Sequence, residues 1–238
     1  MIRGSNMEVQ IFGSGSKGNC YRLIAGGSPL LLEAGIPARE IQRLCGFRLN
    51  ELVGCLVSHE HQDHSRAVKD LLKMGVDCYM SEGTARALGV SGHRVHIIRA
   101  LEQLTIGEWT VKPFDAVHDA AEPLNFLLAH KSRVKAVYIS DTAYCKYRFR
   151  GLTHVLIEVN YSLDILNEQI SAGTVSVEQK KRLLKTHMSL ETAKNFLLAN
   201  DLSKVESIYL LHMSDNNADA ERFKREIQAL TGKMVFIA

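Results

Sequence analysis

The amino-acid sequence predicts an α/β protein with two sheets packed face to face and helices outside them, a four-layer αββα sandwich. Three observations carry that expectation. Strand-like stretches come in two blocks, each followed by helices. Polar residues with metal-binding chemistry recur where those strands end, the place where a site shared by two sheets is built. The 238 residues, 46% of them apolar, suffice for one sizeable core.

The first block begins with Val9-Gln10-Ile11-Phe12, Tyr21-Arg22-Leu23-Ile24 and Leu30-Leu31-Leu32, separated by glycine-rich turns and read as a meander. A helix follows from Pro37 to Cys45, with Pro37 in its first turn and Gly46 as its stop. Then come a strand from Leu52 to Val57 and a helix from Ser65 to Met74, whose Val68, Leu71 and Leu72 keep helical spacing. Shorter pieces alternate through the middle: Cys78 to Met80 extended, Thr84 to Leu88 helical and Val95 to Ile98 extended. The second block holds strands at Trp109 to Phe114, Leu124 to Ala129, Val134 to Ile139 and Val155 to Val159. Helices at Leu163 to Ile170, Val177 to Lys185 and Leu190 to Ala199 precede a closing strand, helix and strand at Ile208 to Leu211, Ala218 to Leu230 and Val235 to Ile237. Residues 1–6 read as a leader or an upstream start, and residues 7–238 as a single domain.

The composition excludes several classes. Five widely spaced cysteines without a CxxC pair argue against a disulfide framework or a zinc knuckle and suit a reducing, cytoplasmic setting. No apolar run of about 18 residues is available to span a bilayer, so no membrane partner is expected. A formal charge of +3 permits an anionic substrate without demanding one.

The most informative stretch is Ser58-His59-Glu60-His61-Gln62-Asp63-His64, directly after an apolar strand pattern. Imidazole and carboxylate are ligands of zinc and of neighbouring first-row divalent ions. In an extended turn His59 and His61 share one direction, while Asp63 and His64 are free to face a second centre, so the expectation is two metals side by side. His118, Asp141 and His212 then follow in order, each near the end of a strand.

This ordered set resembles the metallo-β-lactamase superfamily over nearly the whole chain. The resemblance implies the metallo-β-lactamase αββα sandwich and two divalent ions; five imidazoles and two carboxylates suit zinc first, and manganese, iron or nickel are tolerated by similar sets. His59, His61 and His118 would hold one ion, Asp63, His64 and His212 the other, and Asp141 would bridge them. Two cations about 3.5–4 Å apart can acidify a bridging water and clamp the attacked group. A carboxylate at Asp141 favours the binuclear hydrolases over the zinc β-lactamases, and Cys145 stands four residues too late to replace it. Glu33 lies where relatives carry Asp and is expected to steady the His loop.

A finer resemblance, to the phosphodiesterase branch that includes tRNA 3′-processing endonucleases and the YycJ-like exonuclease group, rests on Lys185-Thr186-His187-Met188-Ser189 and on Tyr209 to Ser214. It implies that His187 protonates the leaving oxygen, oriented by Glu158. An alkoxide leaving group requires such an acid. The alternative is that His187 only caps the helix beginning near Ser189. The Gly13-Ser14-Gly15-Ser16-Lys17-Gly18-Asn19 opening, the Glu158-Val159-Asn160 stretch and Asn216-Asn217 also match that group, whereas Tyr161 stands where it usually has His. The glycine-serine loop either offers N–H groups to phosphate or is simply a tight turn. His93, His96, His130 and His154 have no motif partners and read as surface or packing residues.

The expected function is hydrolysis of phosphodiesters, with nucleic acid as substrate, DNA or RNA ends foremost, through a metal-bridging hydroxide. Lys146 to Arg150, with interleaved Tyr147 and Phe149, and the run Lys180, Lys181, Arg182 and Lys185 are candidate contacts to nucleic acid. Only 71 positions separate Asp141 from His212 and 23 separate His118 from Asp141, which leaves no space for a large cap or a tRNA-gripping arm. The alternatives are a cyclic nucleotide phosphodiesterase, a glyoxalase II-like thioester hydrolase and a non-catalytic metal-binding or nucleic-acid-docking module; a β-lactam hydrolase is weaker than these. A homodimer is the family-based expectation.

Overall fold

The apolar runs at the start of the chain pair as the expected meander in the computed structural model, which describes residues 7–238. The leader expected at residues 1–6 lies outside the described residues. Two compact units are present: one runs to Asp115 and includes Ala120–Val134, and the other comprises Ala116–Asp119 and Lys135–Ala238.

In the first unit the meander consists of β1 (Met7–Gly13), β2 (Cys20–Ala25) and β3 (Ser28–Leu32). Next come α1 (Ala38–Leu44), β4 (Cys55–Leu56), α2 (Gln62–Ser65), α3 (Val68–Lys73), β5 (Cys78–Met80), α4 (Glu82–Leu88) and β6 (Val95–Ile97). Strands β3 to β6 run parallel and complete a six-stranded mixed sheet in chain order. Ile41, Val68 and Leu71 from the helices bury into one core with Leu31, Cys55 and Met80 from the sheet. Each such side chain contributes about 1.5–3 kcal/mol by leaving water.

Two expectations in this unit need correction. The strand drawn from Leu52 to Val57 is reduced to Cys55–Leu56, because Leu52 closes a 3-10 turn through its N–H to the Leu49 carbonyl. The helix drawn from Ser65 to Met74 is broken at Ala67, whose N–H leaves the helix to meet the Ala34 carbonyl at 2.8 Å. Asp63 and His64 consequently ride on the short α2 and not on an extended turn. A strand absent from the sequence reading, β7 (Leu104–Ile106), pairs antiparallel with β8 (Trp109–Asp115), which pairs in turn with β9 (Leu124–His130). Three residues are too few to show a period.

The second unit is a parallel sheet of β10 (Lys135–Ile139), β11 (His154–Glu158), β12 (Ser207–Leu211) and β13 (Met234–Ile237). Its helices are α5 (Leu163–Ser171), α6 (Val177–Thr186), α7 (Leu190–Leu198) and α8 (Ala220–Thr231). Strands β10 and β11 are almost continuously buried, as expected of parallel strands. Caps set the helix starts: Ser176 forms a capping box with Gln179, and Ser189 and Asp219 accept from Thr192 and Arg222 backbone N–H groups. Asp141, Glu158 and His212 all stand at or just beyond the carboxyl ends of these strands.

Candidate metal centre

In the first unit the sequence carries straight from β4 into the His loop, and local backbone contacts hold its shape. The N–H of Asn19 donates to the Asp63 carbonyl at 2.7 Å, and that of Ala34 to the His64 carbonyl at 2.8 Å. Gly35 lies so close that a Cβ built on it would sit 1.8 Å from the Asp63 carbonyl oxygen, so the Glu33-Ala34-Gly35 turn admits no side chain there. Gly18, at φ 141°, presses on Gly35 in the same way. The glycine-serine loop therefore serves as a backbone wedge beneath α2.

The side chains follow from that frame. Glu33 is fully buried in a left-handed conformation at φ 64°; its Oε2 accepts the Ser58 N–H at 3.1 Å and its Oε1 lies 3.5 Å from His64 Nδ1. Ser58 Oγ lies 2.9 Å from His59 Nδ1. Groups that face Nδ1 orient a ring and leave Nε2 for a ligand role. Imidazole centroids are 4.6 Å apart for His59 and His61 and 4.3 Å for His59 and His64, and Asp63 Oδ2 is 3.6 Å from His64 Nε2. Sequence reasoning missed Asn19 as an individual residue. It is buried, its Nδ2 lies 3.0 Å from His64 Nε2 and donates to the Asp63 carbonyl at 3.2 Å, and its Oδ1 accepts from Gly15 N–H and the Tyr21 hydroxyl.

The second unit brings His118, Asp141, Glu158, His187 and His212 together from five separate segments. Asp141 and His212 follow β10 and β12 in left-handed conformations, φ 46° and 51°, which cost non-glycine residues roughly 1–3 kcal/mol and are held by their surroundings. Asn160 Nδ2 donates to the His212 carbonyl at 2.8 Å and lies 3.1 Å from its Nδ1. The two oxygens of Asp141 face different imidazoles: Oδ2 lies 3.5 Å from His118 Nε2, and Oδ1 lies 3.5 Å from His212 Nε2. Such spacings exceed a good hydrogen bond. They match the roughly 3.4 Å between neighbouring donors on a tetrahedral ion with bonds of about 2.0–2.1 Å. His118 donates from Nδ1 to the Thr186 carbonyl at 2.8 Å, and burial pushes its imidazole below the ordinary histidine value, so it is neutral and its Nε2 can ligate. On donor type and spacing, these residues fit a divalent metal.

Beside them stands an acid–base pair. His187 Nδ1 is 2.6 Å from Glu158 Oε1, and Glu158 Oε2 accepts the N–H groups of Thr142 and Met188 at 3.1 and 3.2 Å. Burial would raise the Glu158 carboxyl, but the charge and hydrogen bond of His187 hold it below the ordinary value. Burial likewise pulls the His187 imidazole down, and the facing Glu158 carboxylate overcomes it and raises it above the ordinary value. Ser189, and not His187, caps α7. The ligand-type atoms of Asp141, Glu158, His187 and His212 lie within 4.8 Å of one another. Tyr161 is buried, and burial pushes its phenol up to about 12, so it stays protonated where the resembling group carries a histidine.

Other histidines serve packing. His96 stacks on Tyr79 and pairs with Asp77, His130 sits edge-on to Trp109, and buried His154 meets Thr153 Oγ1. Of the four cations on α6, Lys181, Arg182 and Lys185 line one groove with His118 and Asp119, while Lys180 turns away to Asn167 Oδ1.

The β-lactamase superfamily domain matches residues 31–213. The chain belongs to that superfamily. It is 30% identical over 227 residues to exodeoxyribonuclease WalJ of Streptococcus pneumoniae serotype 2 (strain D39), a match covering 88% of this chain and 82% of the relative. It is 28% identical over 227 residues to exodeoxyribonuclease YycJ of Bacillus anthracis, covering 89% and 84%. The structure of the metallo-β-lactamase fold protein YhfI from Bacillus subtilis superposes with a TM-score of 0.74 at 15% identity, over 98% of this chain and 96% of that one. The α/β metallo-β-lactamase fold expected from the sequence, and the resemblance to the YycJ-like group, are thereby borne out. As a member of the superfamily, the protein is a metal-dependent hydrolase. Among the described residues, no helix is long and apolar enough to cross a membrane.

Proposed function

We propose that the chain is a binuclear metal-dependent nuclease that hydrolyses phosphodiester bonds at the ends of DNA or RNA. The observation that carries this reading is the Glu158–His187 pair at 2.6 Å beside Asp141 and His212, because an acid placed there serves an alkoxide leaving group and is superfluous for a thioester. The names of the WalJ and YycJ relatives support it. In this reading His59, His61 and His118 would hold one ion and Asp63, His64 and His212 the other, with Asp141 as a carboxylate ligand to both; zinc suits the set first and manganese second. When bound, two such ions supply an acidified water as nucleophile and positive charge against the phosphoryl oxygens.

The chain's own residues supply the rest. Glu158 holds His187 through Nδ1, which leaves the Nε2 proton for the departing oxygen. Asn160 and Glu33, which face the Nδ1 atoms of His212 and His64, keep those imidazoles in their rotamers, and Asn19 holds the Asp63 peptide beneath them. Five unpaired cysteines, four of them buried, support a reducing, cytoplasmic setting, and the homodimer expected of the family belongs to the same reading.

The test is an assay of purified protein with zinc or manganese on 5′-phosphorylated single- and double-stranded DNA, bis-p-nitrophenyl phosphate and 2′,3′- and 3′,5′-cyclic nucleotides, with Asp63→Ala as control. DNA cleavage that vanishes in the control is the expected result. Turnover of cyclic nucleotides alone would replace this reading with a small-molecule phosphodiesterase, and silence on every phosphodiester would bring thioesters forward.

A further inference from the structure

Helix α6 borders two cavities of different chemistry, which adjoin at Arg182 and Thr186. On one side a groove of about 440 Å³ is lined by Lys181, Arg182 and Lys185. On the other, a cavity of about 310 Å³ has Thr174, Gln179, Arg182, His187, Asn216 and Asn217 in its wall. The second lies at the lower end of the roughly 300–1,000 Å³ range of small-ligand sites. Its polar side chains are the amides of Gln179, Asn216 and Asn217, the hydroxyls of Thr174 and Thr186 and the His187 imidazole, with Arg182 at the border of both cavities. Arg182 is steadied there by a 2.9 Å bond from its Nε to Asp119 Oδ2. Asn217 is buried, its Nδ2 donates to Ser214 Oγ at 3.2 Å, and its Oδ1 has no hydrogen-bond partner among the described residues. Buried acceptors are seldom left so.

We propose that the 310 Å³ cavity seats the nucleoside on the leaving side of the scissile phosphodiester, with the Asn216–Asn217 amides and Thr174 reading its base and sugar and Arg182 meeting a flanking phosphate. This assignment rests on the nuclease reading above. Two features select the leaving side. His187, the acid for the departing oxygen, is itself part of the cavity wall. Amide side chains are the usual partners of base edges, whereas a backbone-tracking surface presents cations, as the neighbouring groove does with Lys181, Arg182 and Lys185. In the step served, the P–O bond to the seated nucleoside breaks, water supplies the oxygen that replaces it, and His187 gives the departing oxygen its proton and regains one from that water.

The test compares kcat/KM on the dinucleotide dApdA with that on bis-p-nitrophenyl phosphate, which carries no nucleoside. The metal-loaded wild type, Asn217→Ala and Val175→Trp are assayed, the last filling the cavity from a partly exposed position in its wall. The expected result is a fall of about tenfold in the ratio of the two constants for Asn217→Ala, on the scale of one lost buried hydrogen bond, and of at least that size for Val175→Trp, which occupies the cavity, in both mostly through KM for dApdA. Free deoxyadenosine should inhibit the wild type and lose that effect in Val175→Trp. An unchanged ratio in Val175→Trp would overturn the cavity assignment and leave the nuclease reading standing. Failure of the wild type to cleave either substrate would sink the nuclease reading and the assignment with it. Should Asn217→Ala fail to fold, Val175→Trp decides alone.

Discussion

The His59–His64 cluster and the Asp141–Glu158–His187–His212 cluster use the same residue types but are assembled by opposite means. The first is made by six consecutive residues and shaped by backbone, with Gly35 and Asn19 pressed against the Asp63 peptide. The second is drawn from segments far apart in sequence, brought together at the carboxyl ends of a parallel sheet and turned by left-handed residues. A local cluster is sensitive to the peptide beneath it, whereas a dispersed one is sensitive to each side chain and its buried partner.

The largest expected effect is in the dispersed cluster. Asp141→Ala removes both oxygens that face His118 and His212 and should lower turnover by about 10³-fold or more. Steady-state kinetics together with metal analysis would check it. In the local cluster the corresponding weak point is a residue with no functional group. Gly35→Ala forces its Cβ into the Asp63 carbonyl and should cost about 3 kcal/mol, a fall of roughly 6–12 °C in melting temperature, with loss of metal. A normal melt for that variant would show that the loop is not wedged as described.

His187→Ala should slow DNA hydrolysis by about 10²–10⁴-fold. The effect on bis-p-nitrophenyl phosphate should be much smaller, since its leaving oxygen barely needs a proton. Glu158→Gln sharpens the same point through pH. The Glu158 carboxylate raises the His187 imidazole, so the acid stays protonated to higher pH, and activity is lost as pH rises through that value. Without the carboxylate charge the alkaline limb of kcat/KM should move to lower pH. A limb that stays in place would remove His187 from the titration. The smallest effect belongs to the groove. Lys181→Ala and Lys185→Ala should each flatten the slope of log kcat/KM against log salt by about one and leave base preference unaltered.

The same contrast explains what was legible in the sequence. His59, His61, Asp63 and His64 announce themselves because their neighbours in space are their neighbours in the chain. His118, Asp141 and His212 carry no such spacing, and only their order and the likeness to a family single them out. Buried, evenly apolar strands such as β10 and β11 were visible as runs. The break at Ala67 was not, since it depends on a hydrogen bond to Ala34, a residue distant in the chain. Asn19 and Asn160 were seen only as parts of matching stretches, because an amide that orients an imidazole has no periodicity to betray it.

The central claim is that Glu158 and His187 form an acid pair distinct from the metal ligands. Its most direct test measures metal content and DNA hydrolysis side by side in the wild type and His187→Ala. The account predicts wild-type metal content with DNA hydrolysis largely lost. Loss of metal in step with activity would contradict it and make His187 a ligand alongside Asp141 and His212.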